Sequence, residues 1–66
     1  MYVIQTDLGF FNPSNKTLVT KNIHKAKQFS EEQLFLHFNN TCSEIAKANN
    51  KSITGKVVKY KHGGNE

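Results

Sequence analysis

Sixty-six residues, 36% of them apolar, leave room for one small domain and no second. Nine lysines, no arginine, five acidic residues and a single cysteine give a formal charge of +4. These counts exclude a disulfide framework and a Cys-rich zinc module, and no apolar run approaches the ~20 residues that a spanning helix needs.

Residues 2–6 (Tyr2-Val3-Ile4-Gln5-Thr6) predict a first strand, with β-favouring residues bounded by Asp7. Asp7-Leu8-Gly9 reads as a tight turn, because Gly9 tolerates positive φ. Gly9 to Asn12 then returns as a second short strand. Asn12-Pro13-Ser14-Asn15 is the strongest turn signal, since Pro13 presets φ and Asn and Ser close local hydrogen bonds. Thr17 to Thr20 predicts a third short strand. Asn22 caps a helical turn in which Ile23, Ala26 and Phe29 recur every three residues.

Ser30-Glu31-Glu32-Gln33 is a capping box that opens the long helix. Glu31 and Glu32 also sit at the positive end of the helix dipole. Leu34, Phe35, Phe38, Cys42, Ile45 and Ala46 follow helical spacing, and Asn49-Asn50 ends the helix after Ala48. Ile53 to Lys61 predicts the last strand, and 62–66 reads as a tail beyond a domain spanning 1–61.

Strands followed by one helix and a final strand predict an α+β fold. The expected form is an antiparallel sheet of three or four strands, ordered β-β-(β)-α-β, with the helix across one face. The first strand, apolar at three successive positions, belongs in the centre. The expected core is Val3 or Ile4 with Phe10, Leu18, Ile23, Phe29, Leu34, Phe38, Cys42, Ile45 and Val58.

Chemistry is sparse. His37 lies five residues before Cys42, about 140° away on a helix, and Cys42 falls on the apolar stripe. Glu31 and Glu32 serve the helix start, Asp7 a turn, and Glu44 the outer helix face, so no carboxylate pair is set for acid–base work. Two histidines without a third ligand make no zinc site, and the glycines form no phosphate-cradling loop. The expectation is therefore a non-enzyme with no catalytic residue, no metal and no cofactor. The lone thiol and an N-terminal run without signal-peptide character place it in the cytoplasm. Three N-x-[ST] triplets, at Asn15, Asn39 and Asn50, read as by-products of an Asn-rich chain.

Two surface features stand out. Lys51, Lys56, Lys59 and Lys61 crowd the C-terminal quarter, with Lys59 and Lys61 on one face of the last strand; Lys16, Lys21, Lys25 and Lys27 form a second group. Such faces attract nucleic acid or an acidic protein surface. The absence of arginine, which supplies bidentate and stacking contacts, disfavours a sequence-specific nucleic-acid reader. The second feature is surplus apolar side chain. Leu36 falls outside the helix stripe, and one of the neighbours Phe10 and Phe11, taken as Phe11, is left on the open sheet face. The candidate partner-binding residues are Phe11, Leu36, Lys56, Lys59 and Lys61.

The run Gly9-Phe10-Phe11-Asn12-Pro13, then Thr17-Leu18-Val19-Thr20-Lys21, then Ile23 to Glu32 (I-x-x-A-x-x-F, S-E-E) resembles small phage- and prophage-encoded accessory proteins of Gram-positive bacteria. The resemblance covers residues 2–60 and carries no catalytic motif. It implies a protein that docks on and inhibits a larger host or defence protein, such as a CRISPR nuclease or another nuclease, or a protein–RNA complex. The positive charge argues against DNA mimicry. Two other readings stay open. One is a weak, sequence-nonspecific single-strand or RNA binder that stacks bases on Tyr2, Phe11 or Tyr60. The other is a structural homodimer.

Overall fold

The first strand sits at the centre of everything else. In the computed structural model, which describes residues 1–60, β1 (Tyr2–Thr6), β2 (Gly9–Phe11), β3 (Val19–Thr20) and β4 (Gly55–Lys59) form one antiparallel sheet in the order β3-β2-β1-β4. A short 3-10 turn over Ile23–Lys25 and one helix, α1 (Glu31–Asn49), complete the α+β fold. Lys61 and the tail expected over 62–66 lie outside the described residues.

β1 and β2 meet through the two-residue loop Asp7-Leu8, with Thr6 opposite Gly9. Gly9 has φ 143°, and a Cβ there would meet the Thr20 carbonyl oxygen at 2.7 Å, so both conformation and space demand glycine. Thr6 ties the loop internally: its hydroxyl donates to the Gly9 carbonyl at 2.9 Å and accepts from the Leu8 N–H at 3.0 Å. Asn12 to Leu18 closes as a loop, with the Asn12 N–H donating to the Leu18 carbonyl at 2.8 Å. Leu18 takes φ 65°, an uncommon conformation for an aliphatic residue, and the third strand is shorter than expected, starting at Val19.

Beyond β2, the chain comes back beside β1. Phe29 and Tyr2 exchange backbone hydrogen bonds at 2.7 and 2.9 Å, and the Lys27 N–H donates to the Phe11 carbonyl at 2.9 Å. The segment around Phe29 therefore occupies the lane beside β1 that β2 leaves vacant. On the other side, all five β1 residues pair with β4, from Tyr2 opposite Lys59 to Thr6 opposite Gly55.

The capping box forms as the sequence predicts. Ser30 Oγ accepts from the Gln33 N–H at 3.2 Å, and Gln33 Oε1 from the Ser30 N–H at 3.5 Å. Asn50, in the left-handed conformation, closes α1. The Asn49 side chain donates to the Ile45 and Thr17 carbonyls, fastening the helix end to the loop before β3.

Adjacent strand residues point to opposite faces, and both faces of β1 are buried. Val3 and Ile4 are each 0% exposed. Ile4 packs with Phe29 and Leu34, joined by Tyr2, Phe11, Phe38 and Cys42, which is the face that α1 covers. Val3 packs with Ala26 and Tyr60, joined by Phe10, Ile23 and Val58. The expectation of one covered and one open face is corrected here. The 3-10 segment folds under the sheet, and Tyr60 locks it with a 2.8 Å hydrogen bond between its hydroxyl and His24 Nδ1.

Gly55 sets how closely α1 approaches. A Cβ there would stand 2.6 Å from Cys42 Sγ and 3.6 Å from Phe38 Cζ. Gly55→Ala is expected to cost about 1–3 kcal/mol through overpacking. In a Cys42→Ala background the same change should cost clearly less, because the methyl then has room. Urea unfolding of the four proteins of the cycle tests this; strict additivity would show that the two residues do not share the contact.

Candidate protein-docking surface

Helix periodicity explains which α1 side chains reach the sheet. Leu34, Thr41 and Ile45 are buried, and Phe38 and Cys42 pack beside them. Taking 100° per residue, Phe35 lies about 80° from the centre of that stripe, and Leu36 about 180°. Both are accordingly outside: Phe35 is 88% exposed and Leu36 71%. Leu36 is placed as the sequence predicts. Phe35 follows the helical spacing but stands outside the expected core, and it is exposed; Thr41, a polar residue nearer the centre of the stripe, is buried, which the apolar pattern does not signal.

Phe35 overlooks the sheet margin. Together with Glu31, Leu34, Phe38 and Asn39 from α1 and Val57 from β4, it lines an open groove of about 390 Å³. Val57 shares the α1 side of the sheet with its cross-strand neighbour Ile4, yet it is 44% exposed because the helix stops short of the outermost strand. An apolar strip thus runs from the top of α1 over Phe35 to the edge of β4. Isolated exposed apolar residues are ordinary; a contiguous group beside an open strand edge is the more informative pattern.

The candidate lysines of β4 lie on its two different faces. Lys59, opposite Tyr2, is on the α1 side of β4, while Lys56, opposite Gln5, is on the other. Both are exposed. The two candidate lysines therefore stand on either side of the edge strand, and Lys61, the third, lies outside the described residues.

Phe11 is corrected. It is half-buried on the α1 side and stacks on Phe29, with ring centroids 6.0 Å apart and planes at 29°. It is a packing residue, and its neighbour Phe10 fills the opposite face. Both aromatics find cover because the sheet has two packed faces. Tyr60, named as a base-stacking platform, is buried at 8% exposure and hydrogen-bonded to His24.

The remaining reactive groups have structural surroundings. Among the described residues, no group of three His, Cys, Asp or Glu side chains stands close enough to hold a metal ion. Asp7 closes the sheet end, its carboxylate accepting from the Thr54 N–H at 3.0 Å. Cys42 is half-buried on the sheet side of α1, and burial pushes its thiol pKa above the ordinary value. No helix among the described residues is long and apolar enough to cross a membrane.

Burial disfavours the Cys42 thiolate, so the folded thiol titrates above the unfolded one. Its contribution to stability is fully present below the unfolded pKa and is lost as pH rises through the folded value. Alkylation by iodoacetamide near neutral pH should accordingly be slower than for an unstructured thiol, and denaturant should restore the ordinary rate. Equal rates in both conditions would show an open, unperturbed thiol. No family model matches the chain, and neither a curated protein nor a solved structure is matched by it.

Proposed function

We propose that this protein is a non-enzymatic docking module that seats the outer side of α1 and the adjoining edge of β4 against a larger protein. The observation that carries this reading is the exposed pair Phe35 and Leu36, with Phe35 joined to Val57 across the groove and Lys59 exposed on the same side of β4. Aromatic and aliphatic side chains held on a rigid helix bury area at little entropic cost, and lysines at the rim favour an acidic surround. Full burial of Phe35 and Leu36 would supply about 1.5–3 kcal/mol each.

The likeness of the sequence to small phage accessory proteins supports a host or defence protein as the partner, a nuclease among them, with inhibition as the consequence of docking. The lone thiol supports a cytoplasmic setting. The nucleic-acid reading draws less support, because β4 offers no single lysine face among the described residues and the aromatics named for stacking are engaged in packing.

Affinity capture from a host lysate, with and without nuclease, tests the proposal when run in parallel with Phe35→Glu, Leu36→Glu and Lys59→Glu. These side chains are exposed, so the variants are expected to keep the wild-type circular dichroism. The expected result is a nuclease-resistant partner whose affinity falls at least about tenfold with either apolar replacement. Retention of the same partner by both Phe35→Glu and Leu36→Glu would overturn the assignment of this surface, and loss of capture after nuclease would point to a nucleic-acid contact.

A further inference from the structure

The docking surface includes an unfinished sheet. β4 is one of the sheet's two edge strands, β3 being the other, and no strand lies beyond it among the described residues. Its phase is set by two bonds: the Tyr60 N–H donates to the Met1 carbonyl at 2.9 Å, and the Asp7 N–H to the Thr54 carbonyl at 3.3 Å. In an antiparallel ladder, hydrogen-bonded and non-hydrogen-bonded pairs alternate. Positions 54, 56, 58 and 60 therefore bond inward to the β1 side. The N–H and C=O groups of Gly55, Val57 and Lys59 face outward.

We propose that this edge accepts an extended acidic–apolar segment of the partner as a fifth strand, a proposal that rests on the docking reading and names the chemistry of its ligand. The outward groups of Gly55, Val57 and Lys59 supply a backbone ladder. Alternate side chains of the incoming strand then fall on opposite sides of the sheet. On the α1 side they enter the groove between Val57 and the helix, where Phe35, Phe38 and Leu34 favour an apolar residue. On the other side they flank Lys56, which favours a carboxylate. Lys59, two residues beyond Val57 and on the same face, offers a second cation along the edge. This arrangement of a strand edge beside a helix is a recurring way to hold an extended peptide, with the backbone giving affinity and the pockets giving specificity.

Charge selects this occupant over a second copy of the chain. The chain carries +4, and edge lysines disfavour pairing with a like edge. A strand with carboxylates turns the same lysines into attractions, so the edge discriminates by sign.

The test uses the isotope-labelled protein with two capped octapeptides, one alternating valine and glutamate and one alternating valine and lysine. The valine–glutamate peptide should shift the amide resonances of Gly55, Val57 and Lys59 and slow exchange of their amide hydrogens by about tenfold or more. The valine–lysine peptide should do neither. The double variant Lys56→Glu with Lys59→Glu should reverse the preference, and N-methylation of alternate peptide residues on the bonding side should abolish binding. Unchanged edge amides at millimolar valine–glutamate peptide would overturn the proposal. So would sedimentation as a dimer with those amides already protected, since a second copy would then hold the edge. Loss of partner capture in Phe35→Glu, with edge amides unaffected by either peptide, would keep the docking reading and sink strand addition alone.

Discussion

The burial of β1 on both faces and its pairing on both edges is the constraint on which the rest of the molecule depends. Val3 and Ile4 are neighbours in the chain and therefore face opposite sides, yet neither is exposed at all. A chain with so few apolar residues must cover two faces with short pieces. α1 covers one, and the 3-10 segment with Tyr60 covers the other. The long β1–β4 pairing and the return of Phe29 beside Tyr2 satisfy the backbone of the central strand on each side.

That division leaves a surplus. A helix can press only one stripe onto the sheet, and Leu34, Phe38 and Ile45 occupy it. Gly55 lets Cys42 and Phe38 come close to the start of β4, so the helix lies over β1 and the inner margin of β4 and leaves Val57 half uncovered. Phe35 and Leu36 then remain outside, Phe35 across the groove from Val57 and Leu36 on the far side of the helix. The Phe35–Val57 groove lies on the α1 side of the β4 edge with Lys59, while Lys56 lies on the opposite face of the same strand.

The reactive side chains tell a consistent story. Cys42 is drawn to the sheet side of α1, where burial favours its protonated form. His24 is engaged by the Tyr60 hydroxyl across the second packed face. Asp7 bonds the Thr54 backbone where β1 and β4 part. Each of these three groups has a structural partner or setting in the scaffold.

Much of this was legible in the chain itself, because it follows from short-range rules. Ser30 to Gln33 specify the helix start, Asn49-Asn50 its end, Gly9 the first turn, and the apolar run Tyr2-Val3-Ile4 a central strand. The antiparallel α+β order follows from the succession of these elements, and Leu36 declares itself by falling opposite the stripe. Which of two adjacent aromatics is covered cannot be read that way. Phe10 and Phe11 both pack, because the chain folds the Ile23–Ala26 segment beneath the sheet, a long-range event that leaves no local signature. Phe35 shares the helical spacing of the apolar stripe but sits about 80° from the centre of the buried side chains, and where α1 lies over the sheet leaves that flank exposed. Periodicity fixes the direction in which a side chain points along its own element; only the tertiary structure decides whether anything stands there to receive it.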